Sequence, residues 1–209
     1  EEMNFIDGQE MLMTALQPKE LWSKTGRWLE MADIMYQFKD GHGSEVGLAT
    51  THEEVVTELV KKHVSSYKDL PIYIYQIQDK FRNEKRAKSG LLRGREFSMK
   101  DLYSFHTDEE DLNEYYMKAH DSYLKIFNRL GLEAFSVEAS GGTMSKEFSH
   151  EFMVITEAGE DLTVYCQKCS WAQNQEIAKV KAGDACPECG SKVEEVKTVE
   201  AGNIFRLGT

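Results

Sequence analysis

A strand, a loop and a second strand between residues 71 and 100 constrain the fold of this chain most strongly. Residues 71–78 are rich in β-branched and aromatic side chains, which favour a β-strand. Residues 92–100 are predicted to return antiparallel to that strand after a short loop with Gly90 at its tip. Residues 82–95 carry six cations against one anion, although the whole chain has a formal net charge of −11. A basic hairpin in an acidic chain can bind a polyphosphate nucleotide, or it can simply lie in solvent.

The remaining segments predict helices and short strands around this hairpin. Apolar residues three and four apart predict a helix that starts at Thr51. Thr107 and Glu110 form a capping box for a longer helix, which Gly131 should stop. Strands are predicted at 9–17, 44–49, 134–139, 152–156 and 162–165, and a short helix from Pro18 through Trp28. Because strands and helices do not alternate regularly, the sequence predicts an α+β fold with a mostly antiparallel sheet flanked by helices.

Four cysteines in two Cys-x-x-Cys pairs predict a metal site. The pairs Cys166/Cys169 and Cys186/Cys189 are separated by sixteen residues, a spacing typical of a small zinc ribbon. Four thiolates leave no open coordination position, so the Zn²⁺ should be structural rather than catalytic. Two disulfides or a redox pair are the alternatives, which a reducing compartment and the lack of a thioredoxin-like context disfavour. The residues around the ribbon mix both charges, which favours a scaffold role over nucleic-acid binding.

Composition excludes several classes of protein. The chain has no apolar run long enough to predict a membrane span and no segment typical of a secretory leader. Its pI near 5.1 argues against indiscriminate nucleic-acid binding, so any RNA contact should come from the local basic patch at 82–95. With 209 residues, 41% of them hydrophobic, it can form one large domain with a small module. The predicted location is the cytoplasm.

Two stretches on either side of the basic loop resemble motif 2 of the class II aminoacyl-tRNA synthetases, whose pattern is Phe-Arg-x-Glu, a loop and Arg-x-x-x-Phe. They are residues 81–84 and 93–97. Further motifs occur in the order and spacing of prolyl-tRNA synthetases of the bacterial form, at residues 51–54, 76–82, 95–101 and 149–152. The resemblance covers nearly the whole chain. It implies an incomplete class II catalytic core and the ATP-dependent activation of L-proline for transfer to tRNA(Pro).

For the nucleotide, the resemblance implies four contact residues. Arg82 would be catalytic, bridging the proline carboxylate and the α-phosphate of ATP, which binds as a substrate with Mg²⁺. Arg93 would reach the terminal phosphates, Glu84 would contact the adenine side or the RNA 3′ end, and Phe97 would stack on adenine. The alternative for Arg82 is a structural ion pair with Glu84 or Glu96.

For the amino acid, the resemblance implies that Thr51, Glu53 and Arg82 bind proline. The hydroxyl of Thr51 and the carboxylate of Glu53 can accept the two N–H bonds of the secondary ammonium. Thr51 and Glu54 also match a capping box, so helix initiation alone could explain Thr51. His150 resembles a wall of the proline pocket, with residues 141–143 as a close-approach loop, or it is simply packed.

The cations at the tip of the loop, Lys85, Arg86 and Lys88, could contact the acceptor end of tRNA(Pro), or they could lie in a solvated loop. The other partners implied are L-proline, ATP and, for the full-length family, a second copy in a homodimer. Thr14 stands in motif 1 and Thr50 before Thr51, where the family usually has proline. Because motif 1 forms the family's dimer interface, the dimeric state of this chain stays open.

Motif 3, a Gly-x-Gly-x-Gly stretch followed by Glu-Arg, occurs nowhere, and residues 176–201 are too few for the family's editing domain. We therefore expect a fragment without motif 3 or an anticodon-binding domain, with little activity by itself. Its expected parts are a partial class II catalytic domain (1–160), a zinc-ribbon insertion (161–198) and a return strand toward the motif 3 region (199–209).

Two other functions remain possible at this stage. One is a catalytically silent synthetase-like module that binds RNA or a protein, with a structural zinc. The other is the threonyl-specific relative, whose mixed Cys/His catalytic zinc set is absent here.

Overall fold

The computed structural model describes residues 1–86, 90–142, 144–145 and 147–208. Contacts between residues divide the chain into a first unit, formed by Glu1 and Met3–Leu112, and a second unit, formed by Glu2 and the residues from Asn113 onward. Most strands pair antiparallel in both units, so the predicted α+β class is confirmed. In the part of the chain that is described, no helix has the length and apolar character needed to cross a membrane.

The first unit holds short helices and two three-stranded sheets. The helices are α1 (Glu2–Phe5), α2 (Lys19–Lys24), α3 (Arg27–Glu30) and α4 (Glu53–His63), with a 3₁₀ turn at Tyr67–Asp69. One sheet has the order β1 (Gln9–Glu10), β5 (Ile72–Phe81), β6 (Glu96–Phe105). The other has the order β2 (Leu16–Pro18), β4 (Glu45–Leu48), β3 (Gln37–Lys39). Helix α4 buries Val56 and Val60 in a core with Met13 and Tyr103, each valine contributing about 2 kcal/mol.

The predicted hairpin forms. Strands β5 and β6 pair antiparallel along their whole length, from Ile72 opposite Phe105 to Phe81 opposite Glu96. The returning strand begins at Glu96 rather than at residue 92, and the amide of Arg82 donates to the carbonyl of Arg95 (2.9 Å) just beyond the paired strands.

The single strand predicted at 9–17 is wrong, because β1 and β2 are separate strands in different sheets. Glutamine side chains of β5 satisfy the backbone between them. The amide of Met13 donates to Gln76 Oε1 (3.0 Å), and Gln78 Nε2 donates to the carbonyl of Met13 (2.6 Å). The backbone of Met13 therefore needs no partner strand.

Two helix predictions also need correction. The helix expected from Pro18 through Trp28 is two helices, because Gly26 between them takes a positive φ of 79° that a right-handed helix does not allow. The longer helix, α5 (Glu109–Arg129), is capped by Asp108 rather than by Thr107. The carboxylate of Asp108 accepts from the amide of Asp111 (3.0 Å). The hydroxyl of Thr107 donates to the same carboxylate instead of capping the helix.

The second unit contains most of α5 and a closed ring of five strands. In chain order these are β7 (Ala134–Ser140), β8 (Phe148–Ile155), β9 (Asp161–Tyr165), β10 (Ala172–Asn174) and β11 (Glu194–Ile204). The ring order is β10-β7-β8-β11-β9, and β9 pairs back with β10. Aromatic residues of α5, Tyr116 and Phe127, pack on Phe152 of β8 and Ile204 of β11. The three-part division at residues 160 and 198 stays a prediction.

Candidate functional site

Thr51 and Glu53 come together where α4 begins. Thr51 Oγ1 lies 2.6 Å from Glu53 Oε1 and 2.5 Å from Oε2, so its hydroxyl donates to this carboxylate. The capping box between Thr51 and Glu54 is wrong, because the N-cap residue of α4 is His52 and no side chain in the described part of the chain caps this helix. Glu54 instead accepts from Arg27 Nη1 at 2.8 Å. The first turn of α4 therefore carries two adjacent carboxylates with different partners.

Arg82 reaches the same segment from the end of β5. The amide of Phe81 donates to the carbonyl of Ala49 (2.8 Å), which brings the end of β5 against the residues before α4. Arg82 Nη2 lies 3.5 Å from the carbonyl oxygen of Thr50, and its guanidinium stacks 5.2 Å from the centre of the Phe97 ring. Within the described residues Arg82 forms no ion pair, so the alternative of a pair with glutamate is not observed.

A buried polar network lies behind this site. Lys80 is fully buried and donates to Asp101 Oδ1 at 2.7 Å, while Gln76 Nε2 donates to Oδ2 at 2.9 Å. His52 is also fully buried, and its Nε2 lies 3.1 Å from the carbonyl oxygen of Thr14. Burial, and then the positive charge of Lys80, lower the pKa of His52 to about 4. His52 is therefore neutral at physiological pH.

Tyr103 connects this network to Thr51. It is buried on β6, and its hydroxyl interacts with both Asp101 and Thr51. Burial, followed by the negative charges of Glu53 and Asp101, raises the pKa of Tyr103 well above its usual value. The phenol thus stays protonated and can hydrogen-bond to its neighbours at any physiological pH.

The loop residues of the hairpin lie mostly in solvent. Arg93, Lys85 and Arg86 are exposed, and Lys88 lies outside the described residues. Glu84 is half-buried, and its backbone carbonyl accepts from Arg95 Nε at 2.9 Å. Roles for these residues in binding phosphate, adenine or tRNA stay predictions.

His150 belongs to the second unit. Its Nδ1 lies 2.8 Å from the hydroxyl of Tyr116, and the ring of His120 packs edge-on 5.6 Å away. Burial, and then the charge of His120, lower the pKa of His150. It lines a cavity of about 360 Å³ together with Tyr116, Glu138, Glu147, Phe148 and Arg206. Its role as a wall of a proline pocket stays a prediction, and Thr143 of the expected close-approach loop lies outside the described residues.

The four cysteines converge on one point, with all their sulfur atoms within 4.8 Å of one another. The Sγ atoms of Cys166 and Cys189 are 3.5 Å apart, and those of Cys169 and Cys186 are 3.6 Å apart. A tetrahedral ion with Zn–S bonds of about 2.3 Å places sulfurs about 3.8 Å apart, so the cluster fits Zn²⁺. All four cysteines are free thiols, and a disulfide therefore joins none of them.

The two halves of this cluster have the same backbone design. The amide of Ser170 donates to the carbonyl of Cys166 (2.9 Å), and the amide of Gly190 donates to that of Cys186 (2.9 Å). Both Ser170 and Gly190 have positive φ angles, 58° and 72°. Each Cys-x-x-Cys pair therefore forms a tight knuckle that turns both thiols to the same side.

Sequence reasoning did not find Lys80, Asp101 and Tyr103, although the motif stretches at 76–82 and 95–101 contain the first two. A signal was available in β5, where the polar residues Gln76, Gln78 and Lys80 are spaced by two. In a strand that spacing places all three on one face, and here it is the buried face. A cation on a buried face needs a nearby anion, which points to a network of this kind.

The fold and the site geometry define a class of protein. The family model of the tRNA synthetase class II core domain (G, H, P, S and T) matches residues 36–200, and the chain belongs to this family. The curated relatives that it matches include proline--tRNA ligases. The enzyme of Moorella thermoacetica is 48% identical over 182 residues, which cover 87% of this chain and 32% of that protein. The enzyme of Bacillus licheniformis is 47% identical over 205 residues, which cover 98% of this chain and 36% of that protein.

The chain thus spans about a third of the length of these relatives. Among solved structures, the prolyl-tRNA synthetase of Giardia lamblia in complex with prolyl-adenylate has a TM-score of 0.68 with this chain. That likeness covers 76% of this chain and 33% of the Giardia chain at 20% sequence identity, so it supports the fold alone.

Proposed function

We propose that this chain forms the amino-acid-binding part, and one side of the ATP-binding part, of a proline--tRNA ligase. The complete enzyme activates L-proline with ATP and Mg²⁺ and transfers the prolyl group to the acceptor end of tRNA(Pro). The observation that carries the proposal is the pairing of the Thr51 hydroxyl with the Glu53 carboxylate, next to a guanidinium that contacts the carbonyl of Thr50. The relatives that match most of this chain carry the same activity in their names.

This pairing suits a secondary ammonium. The carboxylate of Glu53 can accept one N–H of proline, and Thr51 Oγ1 can accept the other once its own hydrogen points to Glu53. A ligand with a cationic nitrogen and a nearby carboxylate would then direct its carboxylate toward Arg82, which is half-buried and has no competing anion within the described residues.

Activation forms one bond and breaks one bond. An oxygen of the proline carboxylate attacks the α-phosphorus of ATP, and the bond from that phosphorus to the bridging oxygen breaks, so pyrophosphate leaves with the electron pair. No protein nucleophile is needed, because alignment and stabilisation of negative charge lower the barrier. Arg82 is assigned both tasks, since a planar guanidinium can hold the carboxylate and an α-phosphate oxygen at once. The stacked ring of Phe97 fixes the plane of that guanidinium.

We assign the four cysteines to a structural Zn²⁺. The converging sulfur atoms and the matched knuckles support this assignment, because four thiolates saturate a tetrahedral ion. The ion would hold the segment between β9 and β11 folded. A measured zinc content well below one ion per chain would contradict it.

The deciding experiment is amino-acid-dependent ATP–pyrophosphate exchange by the complete protein that carries these residues, with each of the twenty amino acids. Exchange with proline alone supports the proposal, and exchange with threonine would assign the chain to the threonyl-specific relative. No exchange with any amino acid would favour a catalytically silent module that binds RNA or a protein.

Glu53→Gln tests the site itself. The variant should lose proline binding by roughly a hundredfold, because a charge-assisted hydrogen bond to the ammonium is lost, while its thermal stability stays close to wild type. Glu58→Gln is the matched control, since Glu58 lies on the same helix and pairs with exposed Lys24. A large fall in the melting temperature of Glu53→Gln with proline binding retained would refute the assignment.

A further inference from the structure

Arg27 lies between the two carboxylates that begin α4. A single guanidinium nitrogen, Nη1, is 2.8 Å from Glu54 Oε1 and 3.4 Å from Glu53 Oε2. The side chain of Glu54 is 2% exposed, whereas that of Glu53 is 19% exposed. The closer contact is therefore an ion pair with the buried carboxylate, and the longer contact reaches the carboxylate assigned to the substrate.

The position of Arg27 is tightly determined. Its guanidinium lies over the indole of Trp22, 5.0 Å from the ring centre. Trp22 is fully buried, and its Nε1 donates to Gln17 Oε1 at 2.7 Å. Gln17 Nε2 in turn donates to the carbonyl of Thr51 at 3.2 Å. The same set of contacts thus holds the backbone at Thr51 and the plane of the guanidinium that touches Glu53.

The charges around this point favour a ligand with one positive charge. Arg27 and Glu54 neutralise each other, which leaves the charge of Glu53 as the net charge of the three groups. Without Arg27, Glu54 would be a second unpaired carboxylate beside Glu53. The two like charges would repel each other, which would move the Glu53 carboxylate away from Thr51. With Arg27 in place, Glu53 Oε2 is held toward the guanidinium, and Oε1, which accepts from Thr51 Oγ1, keeps a second lone pair for a donor from outside.

We propose that Arg27 is a positioning residue for amino-acid recognition. It orients the Glu53 carboxylate for the ammonium of the substrate and keeps the two carboxylates that begin α4 at a single net negative charge. This inference rests on the proposed function, because it assigns the ammonium of the amino acid to Glu53. Arg27 itself does not touch the substrate and acts through Glu53.

The test separates this role from the support that Arg27 gives to buried Glu54. Arg27→Gln alone should destabilise the fold, because it leaves a buried carboxylate without its cation. The double variant Arg27→Gln/Glu54→Gln removes that buried charge, so its melting temperature should return close to wild type. The KM for proline should nevertheless rise about tenfold in the double variant, the low end of what a lost charge-assisted contact costs. The KM for ATP and the kcat should change little.

Two further variants complete the experiment in the complete protein. Arg27→Lys keeps the pair with Glu54 but lacks the planar guanidinium that lies over Trp22, so it should fold and still raise the KM for proline by about threefold. Lys24→Gln is the control, because Lys24 also joins the α2 region to α4, through an exposed pair with Glu58 at 2.9 Å. It should leave both KM values unchanged.

A wild-type KM for proline in both the double variant and Arg27→Lys would overturn the inference. So would a parallel rise in the KM values for proline and ATP, which indicates general disruption. In either case a wild-type protein that activates proline leaves the proposed function intact. A wild-type protein with no proline-dependent exchange would refute the proposed function and the role of Arg27 together.

Discussion

The neutral, buried state of His52 gives a quantitative prediction about pH. His52 Nε2 carries the hydrogen, because the carbonyl of Thr14 at 3.1 Å can only accept. Its Nδ1 is buried without a hydrogen-bond partner in the described part of the chain. Protonation would place a second hydrogen and a full charge there, next to the ammonium of Lys80. The folded protein should therefore resist protonation of this ring, and stability should fall in acid.

The direction and size of this change in stability follow from the pKa of His52 in the folded and unfolded chain. The value falls from 6.5 to about 4 in the folded protein, through burial and then the charge of Lys80. Below 6.5 the unfolded chain binds a proton that the folded chain excludes, so this group costs more stability as the pH falls toward 4. A pH of about 5 lies about 1.5 units below the pKa of His52 in the unfolded chain, which corresponds to about 2 kcal/mol of lost stability.

The assay compares wild type with His52→Gln by urea unfolding at about pH 7.5 and about pH 5. Glutamine can still donate to the Thr14 carbonyl but does not titrate. A Trp171→Phe background confines tryptophan fluorescence to Trp22 and Trp28 of the first unit. His42→Gln is the control, since His42 lies exposed in the turn before β4.

Wild type and the control should lose about 2 kcal/mol more than His52→Gln on acidification. Glu151 acts in the opposite direction, because burial raises its pKa to about 7 and its protonation in acid favours the folded state. Comparison between variants cancels that contribution. Equal losses in wild type and His52→Gln, within about 0.5 kcal/mol, would refute the neutral buried state.

Three further predictions concern the buried ion pair and the metal knuckles. Lys80→Met should cost about 3–5 kcal/mol in urea unfolding because Asp101 stays buried without its cation, and Lys80→Met/Asp101→Asn should recover most of that loss. Ser170→Gly should stabilise the zinc-bound protein by about 1 kcal/mol in thermal unfolding, since residue 170 has a positive φ, and no gain would contradict the knuckle geometry. Gly190→Ala at the matched position should destabilise it by about 1 kcal/mol, and an unchanged midpoint would count against the symmetry of the two knuckles.

Local patterns predicted those parts of the structure whose partners are close in sequence. The hairpin of β5 and β6 follows from β-branched and aromatic residues on either side of a loop, and the cysteine cluster follows from the spacing of its two pairs. Predictions based on a single local rule were less reliable. Thr51 and Thr107 both match a capping box, yet the hydroxyl of each donates to a nearby carboxylate instead. The acceptor is Glu53 for Thr51 and Asp108 for Thr107.

Long-range contacts explain what the sequence patterns could not predict. The residues between β1 and β2 read as strand, but Gln76 and Gln78, more than sixty positions away, satisfy the backbone of Met13 and end the pairing. Arg82 meets Thr50 where the amide of Phe81 donates to the carbonyl of Ala49. No periodicity within either segment carries information about such contacts, since they depend on which sheets form and how they meet.

The polar core behind Thr51 has a cost that stability alone does not explain. A buried pair such as Lys80 and Asp101 is often no more stable than well-packed apolar residues of the same volume. Its benefit is directional, because each hydrogen bond fixes one angle, whereas apolar packing tolerates small rotations. The network extends to Tyr103, whose hydroxyl interacts with Thr51, so it supports the residue assigned to the substrate. Since positioning errors of about 1 Å can reduce a reaction rate by about a hundredfold, a rigid polar frame is worth its cost at this place in the fold.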